Sequence, residues 1–166
     1  MANFPVVDEL DRRILMEVQI DNRQSSETLG EKVGASPSTV QRRLARLRET
    51  GVIESDISVV AEEAVGWPMT FIVEVVLERE RVDLLDAFRE SMRKLEEVQQ
   101  CYYVTGDIDF IMIVSTEDMK SYEDFSRRVF IENPNLKSYA SHVVVNRVKG
   151  GRRVNVMRQQ QGNNLR

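Results

Sequence analysis

The stretch Gly34-Ala35-Ser36-Pro37-Ser38-Thr39-Val40-Gln41-Arg42-Arg43-Leu44 decides how this chain folds. Gly34 can leave a helix through the left-handed region at no steric cost, so it closes the helix before it. Ser36 offers a hydroxyl to the free N–H groups of a new helix, and Pro37 suits the first turn, where an N–H would have no partner. Val40, Leu44 and Leu47 then recur at helical spacing as a buried stripe, and Gly51 ends the helix. Upstream, Ser25 and Ser26 cap a shorter helix whose Leu29 and Val33 share one face. Farther back, Leu10, Ile14, Leu15 and Val18 mark a first helix from Asp8 to Val18. Asp8, Glu9 and Asp11 stand at the end where the helix dipole favours acids. Two helices around a glycine turn, the second carrying arginines off its apolar stripe, form the helix-turn-helix pattern.

Past Gly51, Val52-Ile53 and Ile57–Val60 flank polar Glu54, Ser55 and Asp56 and read as a small β-wing. Residues 1–60 are therefore expected to be a winged helix-turn-helix. Residues 61–68, with Gly66 and Pro68, read as a connector, after which the hydrophobic period becomes strand-like. Phe71–Leu77 is a strand, and Leu85, Phe88, Met92 and Leu95 line a helix. Val98–Val104 and Ile108–Val114 are strands joined by a tight Thr105-Gly106-Asp107 turn. Met119, Tyr122, Phe125 and Val129 mark a second helix, which Asn133-Pro134-Asn135 ends before a last strand near Tyr139–Val148. The order β-α-β-β-α-β over residues 69–149 is ferredoxin-like, giving an α+β chain. Both helices then lie on one sheet face. The other face needs a cover, and Val143, Val144 and Val145, apolar toward both sides, point to a homodimer with both faces buried. Residues 150–166, with Arg152, Arg153, Arg158, Gln159-Gln160-Gln161 and Gly162-Asn163-Asn164, read as a basic, flexible tail.

Composition is that of a soluble protein, 42% hydrophobic and 30% charged, and no apolar run reaches the ~20 residues of a membrane span. Residues 1–7 lack a secretory pattern, so a cytoplasmic location is expected, without a membrane partner. The net charge of −4 conceals two basic regions: Arg42, Arg43, Arg46 and Arg48 occur without an acid between Ser36 and Arg48, and no acid follows Glu132. An enzyme is not expected. His142 is the only histidine and Cys101 the only cysteine, and neither a phosphate-binding glycine loop nor a metal-ligand cluster stands in the sequence, so no cofactor is expected either.

A helix fits the major groove, where Arg pairs with guanine and Gln with adenine. Gln41, Arg42 and Arg46 are the base-reading candidates, with Ser36, Ser38 and Thr39 at the entering end. Arg43 and Arg48, with Ser25, Ser26 and the N–H groups after them, are candidates for phosphate. In the second domain, Thr105, Gly106, Asp107 and Asp109 offer carboxylates to an ammonium and backbone amides to a carboxylate, which suits an amino acid. The same residues also serve as ordinary turn chemistry.

Taken together, these residues resemble the Lrp/AsnC (leucine-responsive and asparagine-type, "feast/famine") family of regulators over about Asp8 to Lys149. The motifs are Asp8-x-x-Asp11-x-x-Ile14-Leu15, Asp21-Asn22-Arg23, Ser36 to Leu44, Gly51-Val52-Ile53, Val104 to Phe110, and Val148-Lys149. The resemblance implies a dimer built through the ferredoxin-like domain, often assembled into octamers, that binds palindromic double-stranded DNA and responds to an amino acid. It also implies Ser141 as an effector contact, within a stretch where the family commonly has Thr-x-Thr and this chain has Tyr139 first. Gly30 stands where the family usually has Ala, a change worth roughly 1 kcal/mol of helix stability on propensity alone. An architectural protein that wraps DNA without an effector is the alternative the same pattern allows.

Overall fold

Asp8 and Asp11 cap the first helix, α1 (Glu9–Val18), reciprocally. Each carboxylate accepts the other residue's backbone N–H, at 2.9 and 3.0 Å. In the computed structural model, which describes residues 4–79, 81–151 and 153–157, the next two helices start on serine. The Ser25 hydroxyl accepts the Thr28 N–H ahead of α2 (Ser26–Val33), and Ser36 accepts from Thr39 ahead of α3 (Pro37–Glu49). Gly34, at φ 68°, makes the turn between them. Ile14, Leu15, Leu29, Val33, Val40, Leu44 and Leu47 form the core of this unit.

The α2–α3 turn is closer than helix propensity suggests. The Gly30 carbonyl accepts the Ala35 N–H at 2.9 Å, and a Cβ on Gly30 would stand 2.5 Å from the Ala35 carbonyl oxygen. Glycine at 30 is therefore a packing requirement of this turn, and the propensity reading of that position is corrected.

No β-wing follows α3. Ile53 donates its N–H to the Leu47 carbonyl at 2.9 Å, and Val52 and Ile53 pack on the helical core. A two-stranded wing loses its first strand by this fold-back, and residues 54–60 form no strand. Ile57 and Val59 are left 68% and 90% exposed.

The start of the C-terminal tail is held rather than flexible. The Gln19 side-chain amide accepts the Val154 N–H at 2.8 Å and donates to the Val154 carbonyl at 3.2 Å. Arg12 donates to the Val156 carbonyl at 2.6 Å, and Val156 packs on the helical core. Polar groups on one face of α1 thus satisfy a backbone that has no strand partner of its own. Arg152, Arg158 and the polar runs at 159–164 lie outside the described residues. Accordingly the chain divides into Met1–Ser58 with Gly150–Arg166 as one compact unit and Val59–Lys149 as the other, so the connector groups with the second unit and the tail with the first.

In the second unit a short 3-10 turn, Glu62–Val65, precedes β1 (Met69–Leu77), α4 (Val82–Arg93), β2 (Val98–Tyr103), β3 (Phe110–Thr116), α5 (Met119–Ser126) and β4 (Leu136–Val143). A π-helical turn, Arg127–Ile131, extends α5. The antiparallel sheet runs β2-β3-β1-β4, the ferredoxin-like order. One face is closed: Phe71, Val73, Val75 and Leu77 of β1 and Phe110, Met112 and Val114 of β3 pack under Leu85, Phe88, Met92, Tyr122, Phe125, Val129 and Phe130. Each such side chain gains ~1.5–3 kcal/mol on full burial, which fixes the strand faces.

The opposite face carries the cross-strand rows Ala140–Glu74–Ile111–Tyr102 and His142–Ile72–Ile113–Gln100. Ile72 is 38% and Tyr102 49% exposed. β4 ends at Val143, because the Val144 N–H bonded to the Thr70 carbonyl lies at the start of β1 and nothing continues beyond it. In the single chain β4 is an edge strand and Val143 and Val145 are exposed, so any second cover for 143–145 has to come from another copy.

Gly30→Ala is expected to lower stability by about 1–3 kcal/mol through overpacking, against the roughly 1 kcal/mol that helix propensity would add. Urea unfolding gives the sign.

Candidate nucleic-acid interface and effector turn

With Val40, Leu44 and Leu47 turned inward, the 100° step of a helix puts Ser38, Gln41, Arg42, Ala45 and Glu49 on the outer stripe of α3. All five are exposed. Gln41 and Arg42 stand where base readers were expected, and Arg42 makes no ion pair among the described residues. Ala45, one turn beyond Gln41, was missed because a lone alanine carries no chemical signal; its methyl suits contact with a thymine methyl. Ser38 lies at the entering end, while Thr39 is half-buried with its hydroxyl 2.8 Å from that of Ser36.

Arg43 and Arg46 point elsewhere. Both reach back to α1, where the Asp11 side chain is 0% exposed. Arg46 donates to Asp11, and Arg43 donates to Asp8 and, at 3.2 Å, to Asp11. Arg46, offered as a base reader, is thus committed to a buried carboxylate, and its Nε is buried without a partner among the described residues. The Asp11 backbone N–H and the Arg43 guanidinium hold the Asp8 carboxyl below its usual range, and Asp8 in turn raises Arg43. An open cleft of about 480 Å³ is lined by Asp8, Arg42, Arg43 and Arg46. Arg48 pairs with Asp56 at 2.7 Å, which lowers the Asp56 pKa.

At the start of α2, Ser25 is exposed and Ser26 half-buried, as a phosphate contact requires of at least one. The exposed Glu27 carboxylate also sits there, its pKa lowered by its own backbone N–H and the Ser25 hydroxyl. An acid at that position already occupies part of the field a phosphate would use.

In the second unit the β2–β3 connection is a loop of residues 104–109 rather than a tight turn, closed by the Val104 N–H on the Asp109 carbonyl at 2.9 Å. Gly106 takes φ 118°, and Thr105 and Asp107 are exposed. Asp109 is engaged in the fold. Its carboxylate accepts the Leu77 N–H at 2.7 Å and its own N–H goes to the Val75 carbonyl at 2.9 Å. Ser141 pairs with Val73 and shares a hydrogen bond with the Tyr122 hydroxyl under the closed face. Val73 lies four residues from Leu77 along β1, about 13 Å at ~3.3 Å per residue, so one chain does not bring Ser141 beside the loop. A separate cleft of about 360 Å³ opens between α4 and β2, lined by Arg89, Arg93, Gln99, Cys101 and Tyr103 among others, with Arg89 4.9 Å above the Tyr103 ring. Burial pushes the Cys101 thiol pKa up, away from reactivity.

Comparison with known proteins matches residues 7–48 to the AsnC-type helix-turn-helix domain and residues 70–154 to the Lrp/AsnC ligand binding domain. An uncharacterized HTH-type transcriptional regulator of Sinorhizobium fredii is 53% identical over 86% of this chain and 85% of its own. The crystal structure of an AsnC family transcriptional regulator from Agrobacterium tumefaciens superposes with a TM-score of 0.83 at 26% identity, covering 89% of this chain and 95% of that one. A Neisseria meningitidis transcriptional regulator, solved as an L-Met complex, gives 0.82 at 26% identity over 87% and 94%. These are regulators, not enzymes.

Asp11→Ala is expected to cost about 3 kcal/mol of stability, since it removes a buried partner of two guanidiniums together with half of the capping box. Chemical denaturation measures it, and a cost below about 1 kcal/mol would class the pair with surface ion pairs.

Proposed function

Since the chain belongs to the Lrp/AsnC family of transcriptional regulators, we propose that it binds specific DNA sequences in the cytoplasm and that a small molecule, most simply an amino acid, tunes its DNA affinity or assembly. The observation that carries the DNA reading is the outer stripe of α3. Ser38, Gln41, Arg42 and Ala45 face solvent from a helix whose start is set by Ser36 and Pro37. Gln41 and Arg42 read bases, Ala45 meets a thymine methyl, and Ser25 and Ser26 contact phosphate. Arg43 and Arg46 act chiefly by holding α3 against α1.

The functional unit is a homodimer. Its support is the open sheet face, where Ile72, Ile111, Ile113 and Tyr102 form an apolar patch that a second copy would cover. The effector contacts Thr105, Gly106 and Asp107, the exposed part of the β2–β3 loop. Ser141 and Asp109 contribute through the shape of the domain, because both are already bonded within the chain.

Arg42→Ala is expected to weaken specific binding by ~1–3 kcal/mol and to relax preference at one base pair. Unchanged affinity in a mobility-shift titration on a selected operator would remove Arg42 from the interface. For the effector, thermal unfolding against the twenty amino acids should show stabilisation by one or a few, ~2.7 kcal/mol at about 100 times the dissociation constant. Asp107→Ala should abolish that shift, and a retained shift would place the site elsewhere.

A further inference from the structure

Of the four arginines of α3, two face an acid from another helix, and they do so to different depths. Asp11 is 0% exposed, so its pairs with Arg43 and Arg46 are part of the fold. The Asp8–Arg43 pair stands at the rim: the side chains are 47% and 25% exposed, and both line the open cleft beside Arg42. A rim pair of this kind contributes little to stability. It nevertheless presents a fixed negative charge where a DNA phosphate approaching Arg42 would meet the guanidinium of Arg43.

We infer that Asp8 is a specificity-determining residue, holding Arg43 out of reach of DNA phosphates so that binding depends on the base contacts of Gln41 and Arg42. This rests on the DNA-binding reading of α3. Phosphate contacts are alike on every sequence, whereas base contacts are not. In a specific complex the base contacts fix the register of α3, and Arg43 keeps its direction toward α1. In a nonspecific complex nothing fixes the register, and with Asp8 neutral the Arg43 guanidinium, still held at Nη1 by Asp11, presents its remaining N–H groups to the nearest phosphate with no competing carboxylate at the rim. Neutralising Asp8 therefore strengthens binding to random DNA more than binding to the operator.

The test compares wild type, Asp8→Asn, Asp8→Ser and the double variant Asp8→Asn/Arg43→Ala. Asn and Ser both keep the N-cap acceptor for the Asp11 N–H, and thermal unfolding checks that each variant is folded. Binding is titrated on a random-sequence duplex and on an operator selected with the wild-type protein, across a range of salt. The single variants should bind random duplex about threefold to tenfold more tightly at low salt, with a salt slope steeper by about 0.9, the value of one more phosphate contact. The operator should gain less, so the specificity ratio falls, and the double variant should lose the gain. Random-duplex affinity indifferent to Asp8, or a gain that survives Arg43→Ala, overturns the inference while leaving the DNA-binding reading intact. A wild-type protein that binds no duplex overturns both.

Discussion

A carboxylate removed from water has to be paired, because an isolated buried charge costs several kcal/mol even after the protein relaxes. In the helical unit that carboxylate is Asp11, and its partners are Arg43 and Arg46. The pairing joins the first turn of α1 to the middle of α3, so the two helices cannot slide without stranding a charge. Asp8 adds the cap from the same turn. The orientation of α3, and with it the direction in which Gln41 and Arg42 project, follows from this one desolvated acid. Apolar packing by Leu44 and Leu47 supplies the larger share of the energy, but it is less directional.

A second acid plays a comparable part in the sheet. Past Val75 the β1 strand outruns β3, and the Leu77 N–H would be left without a strand partner. The Asp109 carboxylate takes that N–H, and the Asp109 N–H returns to the Val75 carbonyl. The β2–β3 loop is thereby pinned at one end, while Thr105, Gly106 and Asp107 remain exposed at its tip. The loop thus has a pinned base and an open tip, and the pinning comes from Asp109, whose Oδ2 is engaged with the Leu77 N–H.

Local chemistry was legible in the amino-acid order, and contacts between distant segments were not. Ser25, Gly34, Ser36 and Pro37 each act within a few residues, and the helix bounds they imply agree with α2 and α3 to within about one residue. The βαββαβ order followed from the change of hydrophobic period, since strand and helix cores each bury one face. The reach of Arg46 to Asp11 depends on how α1 crosses α3, which no spacing within α3 encodes. The absent wing depended on whether Val52-Ile53 would pair as a strand or fold back on Leu47, two outcomes open to the same apolar pair. The held segment at 153–157 was invisible because its bonds run to the Gln19 and Arg12 side chains through its backbone, which every residue possesses.

These distinctions bear on what a family resemblance carries. The motif residues Asp8, Asp11, Ser36, Pro37 and Asp109 all act by capping, pairing or pinning within the chain. They specify how a reading helix and a ligand loop are built, which is why they identify a class of regulator. The side chains of Gln41, Arg42 and Ala45 make no ion pair among the described residues and face outward, and Thr105 and Asp107 are likewise exposed. Substituting them leaves caps and core in place, so the scaffold constrains them least. On the proposed reading, operator and effector identity would reside in these side chains that the scaffold does not dictate, so that a shared fold is compatible with reading different DNA.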